Sequence, residues 1–209
     1  MRRLLTILLV LSLGVPLRAQ YAGSPSYGFV NTASDVLRIV PSAAHLTLGL
    51  VGAESSLPFG DRLVESAIAH VLCIGVGYAA KSVSHVPRPD GSDDKSFPSG
   101  HAIIAFTGAE LMRMDYGNAW GAGAYVLSSG VAASRVLTGR HWFSDVLAGA
   151  SLGILCAHAG RWLLGPVKSA FGLPEWSWDG ISRHPVQVAL IPGADPMSGT
   201  PTAVIHLLF

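Results

Sequence analysis

Apolar residues fill this chain in long blocks, and short stretches rich in Gly, Pro, Asp and Asn separate them. The spacing predicts five helices: Ser34 to Ser56, Arg62 to Lys81, Ser99 to Met114, Ala119 to Val136 and Trp142 to Leu164. Ser34 or Asp35 would cap the first and Asp61 the second. Leu57-Pro58-Phe59-Gly60, Tyr116-Gly117-Asn118 and Thr138-Gly139 read as breaks. The stretch Pro87 to Pro98, with its prolines, Gly91 and the adjacent Asp93 and Asp94, reads as a loop. Tyr21 to Thr32 reads as an irregular lead-in, and Gly165 to Arg183 as irregular too. Gln187 to Ile191 and Thr202 to Phe209 look like two strands around a Gly/Pro-rich turn. A terminal Phe after alternating residues also fits an outer-membrane barrel strand, but one hairpin cannot close a barrel.

The expected architecture is therefore all-α, an antiparallel helical bundle of about five core helices with a short strand-like C-terminal tail. The expected division is a leader over 1–20, a helical domain over 21–165 and a tail over 166–209. The leader reading rests on Arg2 and Arg3, the apolar run Leu4 to Leu13, and Leu17-Arg18-Ala19 as a cleavage site. An uncleaved anchor is the alternative. Both send the chain into the bacterial envelope.

Composition sharpens the environment. Half of the 209 residues are apolar and only 13% are charged, against about a quarter in soluble domains. This leaves a membrane protein or a very compact helical one. Uncharged stretches are short for a bilayer, and Glu65, Glu110 and Arg113 interrupt them. Trp120, Trp142 and Trp162 fall near segment ends, as interfacial residues do. A net charge of +1 without a basic stripe gives no footprint for nucleic acid. Cys73 and Cys156, each within an apolar run, are expected as buried free thiols.

Polar chemistry concentrates in three blocks: Lys81-x6-Arg88-Pro89, Pro98-Ser99-Gly100-His101, and Ser134-Arg135-x5-His141-x3-Asp145. In an antiparallel bundle, the helix ending at Lys81 delivers its C-terminus to the face where the Ser99 helix begins. The helix ending at Arg135 returns to that face, and the segment from His141 to Asp145 leaves from it. Three separate blocks then form one site.

Each block suits an anion. Ser99 and Gly100 open a helix whose free N–H groups and positive dipole end attract negative charge. Lys81 offers a point charge, while Arg88 and Arg135 offer planar forks that match phosphate oxygens. His141 and Asp145 share a helix face, so the carboxylate could hold one ring nitrogen protonated and present the other as a nucleophile. His101, in the first turn, could protonate a leaving oxygen. Metal ligation by His101, His141 and Asp145 is an alternative, disfavoured because the three cations would repel a metal.

These blocks match the three-part signature of the type 2 phosphatidic acid phosphatase and vanadium haloperoxidase superfamily, which the chain resembles from Lys81 to Asp145. The resemblance implies a helical bundle and phosphate ester hydrolysis without a metal or other cofactor. It implies a phosphohistidine on His141 and His101 as acid, then base. It also implies phosphate binding by Lys81, Arg88, Ser99, Gly100 and Arg135.

The reading at this level is a bacterial membrane-associated phosphatase, its site facing the periplasm, acting on phosphatidate, undecaprenyl diphosphate or lipid A phosphate. A soluble periplasmic acid phosphatase acting on small phosphate esters and a vanadate-dependent haloperoxidase are the alternatives. His45, His70, His158 and His206 are expected as core or surface residues. His85 and Arg140 are secondary candidates for the pocket, and Asp93 and Asp94 for solvating the loop.

Overall fold

The computed structural model describes residues 28–174, and the backbone alone of two further strands. Among these residues the chain forms α1 (Gly28–Leu37), α2 (Val40–Thr47), a 3-10 turn (Leu48–Val51), α3 (Phe59–Ser84), α4 (Gly100–Tyr116), α5 (Asn118–Leu137) and α6 (Phe143–Phe171). Strands β1 (Gln187–Ala194) and β2 (Pro201–Leu208) pair antiparallel, with Gln187 opposite Leu208. The leader-like stretch Met1 to Gln20 lies outside the described residues.

The expected helix from Ser34 to Ser56 is a correction. It begins earlier, at Gly28, and is broken into α1, α2 and the 3-10 turn. Pro41 is the cause: it lacks an N–H and is tolerated only in a helix's first turn, where α2 places it. Ser34 and Asp35 are consequently interior residues of α1, not caps. Helix α3 starts at Phe59 after Pro58, so Asp61 lies in its first turn, bonded to Lys168 Nζ at 2.7 Å. Helix α6 continues past Leu164 to Phe171, through Pro166, where irregular chain was expected.

Helix α4 is the centre of the bundle, packed against α6, α5, α2 and α3. Small residues on α6 let it approach closely. A Cβ on Gly149 would stand 2.6 Å from the Ser99 carbonyl oxygen, and one on Gly153 would stand 2.5 Å from that of Ile103. This contact fixes the start of α4 against the second and third turns of α6. Cys73, Ile103 and Cys156 pack as one apolar cluster between α3, α4 and α6, and both cysteines are free thiols.

The charges inside these helices are paired at the end of the bundle away from the three blocks. Arg161 bonds Glu65 Oε1 and Asp115 Oδ1, each at 2.5 Å. Asp115 also accepts from Ser56 Oγ and pairs with His45 Nε2, both at 2.6 Å. Glu110 is held by Arg113, by Tyr125 and by His158. His45 and His158 thus belong to ion-pair networks, and His70 bonds Ser42 and Ser66. Buried carboxylates persist because each has such partners.

The two long helices carry many exposed apolar residues. Helix α3 exposes Val71, Ile74, Val76, Tyr78 and Val83, and α6 exposes Leu147, Leu155 and Trp162. At 26 and 29 residues both helices are long and apolar enough to cross a bilayer.

Candidate active site

All eight residues expected to form the site lie at one end of the bundle. Lys81 sits in the last turn of α3, Gly100 and His101 in the first turn of α4, and Arg135 in the last turn of α5. Backbone bonds tie these ends together. Ser99 N–H donates to the Asp145 carbonyl at 2.9 Å, and His141 N–H donates to the Arg135 carbonyl at 3.2 Å.

The loop from Val86 to Ser99 is braced by its own aspartates. Asp90 Oδ1 accepts the Ser92 N–H at 3.0 Å, and Asp93 Oδ1 accepts the Lys95 N–H at 2.8 Å. Asp90 N–H donates to the Gly139 carbonyl, docking the loop on the α5–α6 connection. Arg88 is then aimed from two sides. Its Nε donates to Asp93 Oδ1 at 2.7 Å and its Nη1 to the Arg140 carbonyl at 3.0 Å. The same Nη1 stands 3.4 Å from His141 Nε2. The Arg88 hydrogen bond is the leading cause that holds the Asp93 carboxyl below its usual range. Lys81 Nζ donates to the Lys95 carbonyl at 2.8 Å.

His141 is buried, with its ring orientation fixed. Its Nδ1–H donates to the Ser96 carbonyl at 2.7 Å. This leaves Nε2 as the nitrogen that carries the lone pair, with the Arg88 Nη1–H as its donor at 3.4 Å. The expected direct grip of Asp145 on the ring is a correction, because Asp145 Oδ2 lies 3.9 Å from Nδ1. That oxygen instead accepts from Ser96 Oγ at 2.5 Å and from the Trp142 N–H at 2.9 Å. Ser96 therefore stands between carboxylate and imidazole. Burial chiefly, and then Arg88, Lys81 and Arg135, push the His141 imidazole down to about 3, so it is neutral at neutral pH.

The anion-binding elements retain unspent donors. Ser99 precedes α4 without a side-chain cap bond, and its buried hydroxyl has no partner among the described residues. The buried Nε–H of Arg135 is likewise unpartnered there. An orphaned buried donor is costly, so two of them at one helix junction mark a place built for an acceptor. A Cβ on Gly100 would meet nothing within 4 Å, so that residue leaves room at the rim of the helix.

Helix α1 closes one side of the site. Arg135 Nη1 donates to Ser34 Oγ at 2.8 Å and to Asn31 Oδ1 at 3.0 Å. His101 Nε2 bonds Asp35 Oδ1 at 2.6 Å. Burial, with Arg135 second, pushes His101 down to about 4. His85 is exposed and pairs with Asp94, and Arg140 pairs with Asp90, so each serves the loop.

Such a cup can hold a tetrahedral oxyanion and present a neutral imidazole to it in line. The model of the PAP2 superfamily matches residues 71–167. The lipid A 1-phosphatase of Porphyromonas gingivalis is 36% identical over 151 residues, covering 70% of this chain and 33% of that protein. The chain thus spans about a third of the length of the curated relative it matches. Among solved structures, Aquifex aeolicus LpxE superposes with a TM-score of 0.52 at 18% identity, covering 75% of this chain and 93% of that one. A likeness at that identity shows a shared fold. Together, the three-block signature and the match across 71–167 identify that segment as a PAP2 superfamily region, set in a helical architecture shared with the solved structure.

Proposed function

We propose that this chain is a phosphatase that hydrolyses a lipid-linked phosphate, with lipid A phosphate as the leading class, through a phosphohistidine on His141. One observation carries the reading. The Nε2 of His141, met by Arg88 at 3.4 Å, shares one junction with Lys81, Arg88 and Arg135 and with the unpartnered donors of Ser99 and Arg135.

The phosphate oxygens sit among the α4 N-terminal amides, Ser99, Lys81 and the two guanidinium groups. These groups neutralise the charge that phosphoryl transfer spreads over the equatorial oxygens. His141 Nε2 attacks phosphorus, and the P–N bond forms as the ester P–O bond breaks. His101 gives its proton to the departing ester oxygen. Water then attacks phosphorus and loses a proton to His101, and the P–N bond breaks to release phosphate.

The lipid preference rests on the rim of the cup. Helix α1, which meets His101 and Arg135, exposes Phe29 and Val36, and Ile39 is exposed just before α2. An apolar ledge next to a phosphate cradle suits a head group with acyl chains. In this reading α3 and α6 hold the chain in the membrane and the cup faces the periplasm. The end carrying Arg62, Arg113 and Arg161 faces the cytoplasm.

The test is phosphate release by the full chain in detergent micelles from lipid A, phosphatidate and p-nitrophenyl phosphate, with His141→Ala as control. Release from the lipids at much higher kcat/KM, abolished in the variant, supports the reading. Equal rates on the soluble ester, with extraction by osmotic shock alone, would favour a soluble acid phosphatase.

A further inference from the structure

The signature accounts for His101 but not for the carboxylate that meets it. Asp35 lies on α1, far upstream of the three blocks, yet its Oδ1 is 2.6 Å from His101 Nε2. The imidazole is largely covered, while the Asp35 carboxylate is more than half exposed. Among the described residues, no protein group bonds the other ring nitrogen, Nδ1. Helix α1 does not reach His101 by a single contact. Asn31, one turn before Asp35, and Ser34, immediately before it, are both bonded by Arg135 from α5. Asp35 is therefore delivered by a helix that a phosphate-cup arginine anchors.

Resting on the phosphatase reading, we propose that Asp35 is the positioning residue of His101. Its carboxylate accepts the Nε2–H, fixes the ring, and leaves Nδ1 to exchange protons with the reacting oxygens. In the first step the Nδ1 proton passes to the ester oxygen as its bond to phosphorus breaks. In the second, a proton of the attacking water returns to Nδ1 as the P–N bond opens. Burial chiefly, then Arg135 and Arg38, lowers the His101 imidazole, and the Asp35 hydrogen bond and charge are what oppose this and favour the imidazolium. A helix outside the family's motif thus supplies the partner of its acid.

A plain anchoring ion pair between α1 and α4 predicts something different, and leaving groups separate the two. The experiment compares Asp35→Asn, Asp35→Glu, His101→Ala and the double variant Asp35→Asn/His101→Ala in the full chain. Each is assayed on an alkyl phosphate, whose leaving oxygen needs a proton, and on p-nitrophenyl phosphate, whose leaving anion is stable. Asp35→Asn should slow the alkyl ester roughly 10- to 100-fold and the aryl ester only a few-fold. The basic limb of its kcat/KM profile should move to lower pH, because the imidazolium has lost its counter-charge. Asp35→Glu should restore much of the rate, and the double variant should be no slower than His101→Ala.

Equal slowing of both esters with an unmoved pH profile would overturn the proposal and leave Asp35 as an anchor. Additive losses in the double variant would also overturn it. Full activity of His101→Ala on both esters would instead remove the parent reading, and this one with it.

Discussion

The Asp145 carboxylate stands 3.9 Å from His141 Nδ1, too far for a hydrogen bond, and its Oδ2 is bonded to Ser96 Oγ at 2.5 Å. In a Ser-His-Asp triad the carboxylate fixes the histidine tautomer, and its amide replacement costs about 10⁴ in kcat. Here a main-chain carbonyl, that of Ser96, fixes the tautomer. Asp145→Asn is therefore expected to lose only about 10- to 100-fold in kcat, well short of the triad value. Ser96→Ala keeps the carbonyl but frees Asp145, and should fall in the same range. Steady-state phosphate release by each variant checks this.

Two glycines near the cup should respond in opposite ways. Gly149→Ala places a Cβ 2.6 Å from the Ser99 carbonyl, where backbone must yield. It should destabilise the fold by about 1–3 kcal/mol and lower activity, because α4 moves with it. Gly100→Ala meets no atom within 4 Å and should melt at or above the parent temperature. Its activity should nonetheless fall at least about tenfold, since the added methyl leans past the α4 N-terminus toward the bound anion. Thermal melts alongside kinetics separate the two effects.

Asp93 aims Arg88 at the site through a 2.7 Å bond to Nε. Asp93→Ala should leave the guanidinium present but mobile, raising KM several-fold with a smaller change in kcat. Arg88→Ala removes the charge itself and should cost about 10² or more in kcat/KM. Comparable losses in both variants would show that Asp93 does more than aim.

The His141 imidazole also sets a pH dependence. Its native value lies near 3, below the ordinary 6.5, so the unfolded chain takes up this proton first as the solution is acidified. Between those two values the unfolded state binds more protons, and stability must fall as pH falls. Asn at position 141 carries no such proton in either state. The melting temperature of His141→Asn should therefore decline less steeply than the parent's from pH 6.5 downward. Parallel curves would show that His141 is not held neutral.

Much of the site was legible because charges are rare in this chain. With so few, Lys81, Arg88, Arg135, His101, His141 and Asp145 stood out, and counting antiparallel helices brought them to one face. Ser96 was not legible, since it works largely through its carbonyl, which every residue carries. Asp35 read as a cap because capping positions favour aspartate, and only the break before Pro41 placed it on a separate helix beside His101. Asp93 read as a solvated loop charge because loop aspartates usually are. Glu65 reads in sequence only as an interruption of an apolar stretch, while its partner Arg161 lies on a distant helix. Long-range pairing of this kind leaves no local pattern.

The central claim is a covalent bond between phosphorus and His141 Nε2. Rapid quenching of the full chain with a ³²P-labelled phosphate ester tests it most directly. The account predicts a transient labelled protein, stable to alkali and lost in acid, that is absent from His141→Ala. Label that survives in that variant, or turnover with no labelled protein at any quench time, would contradict it.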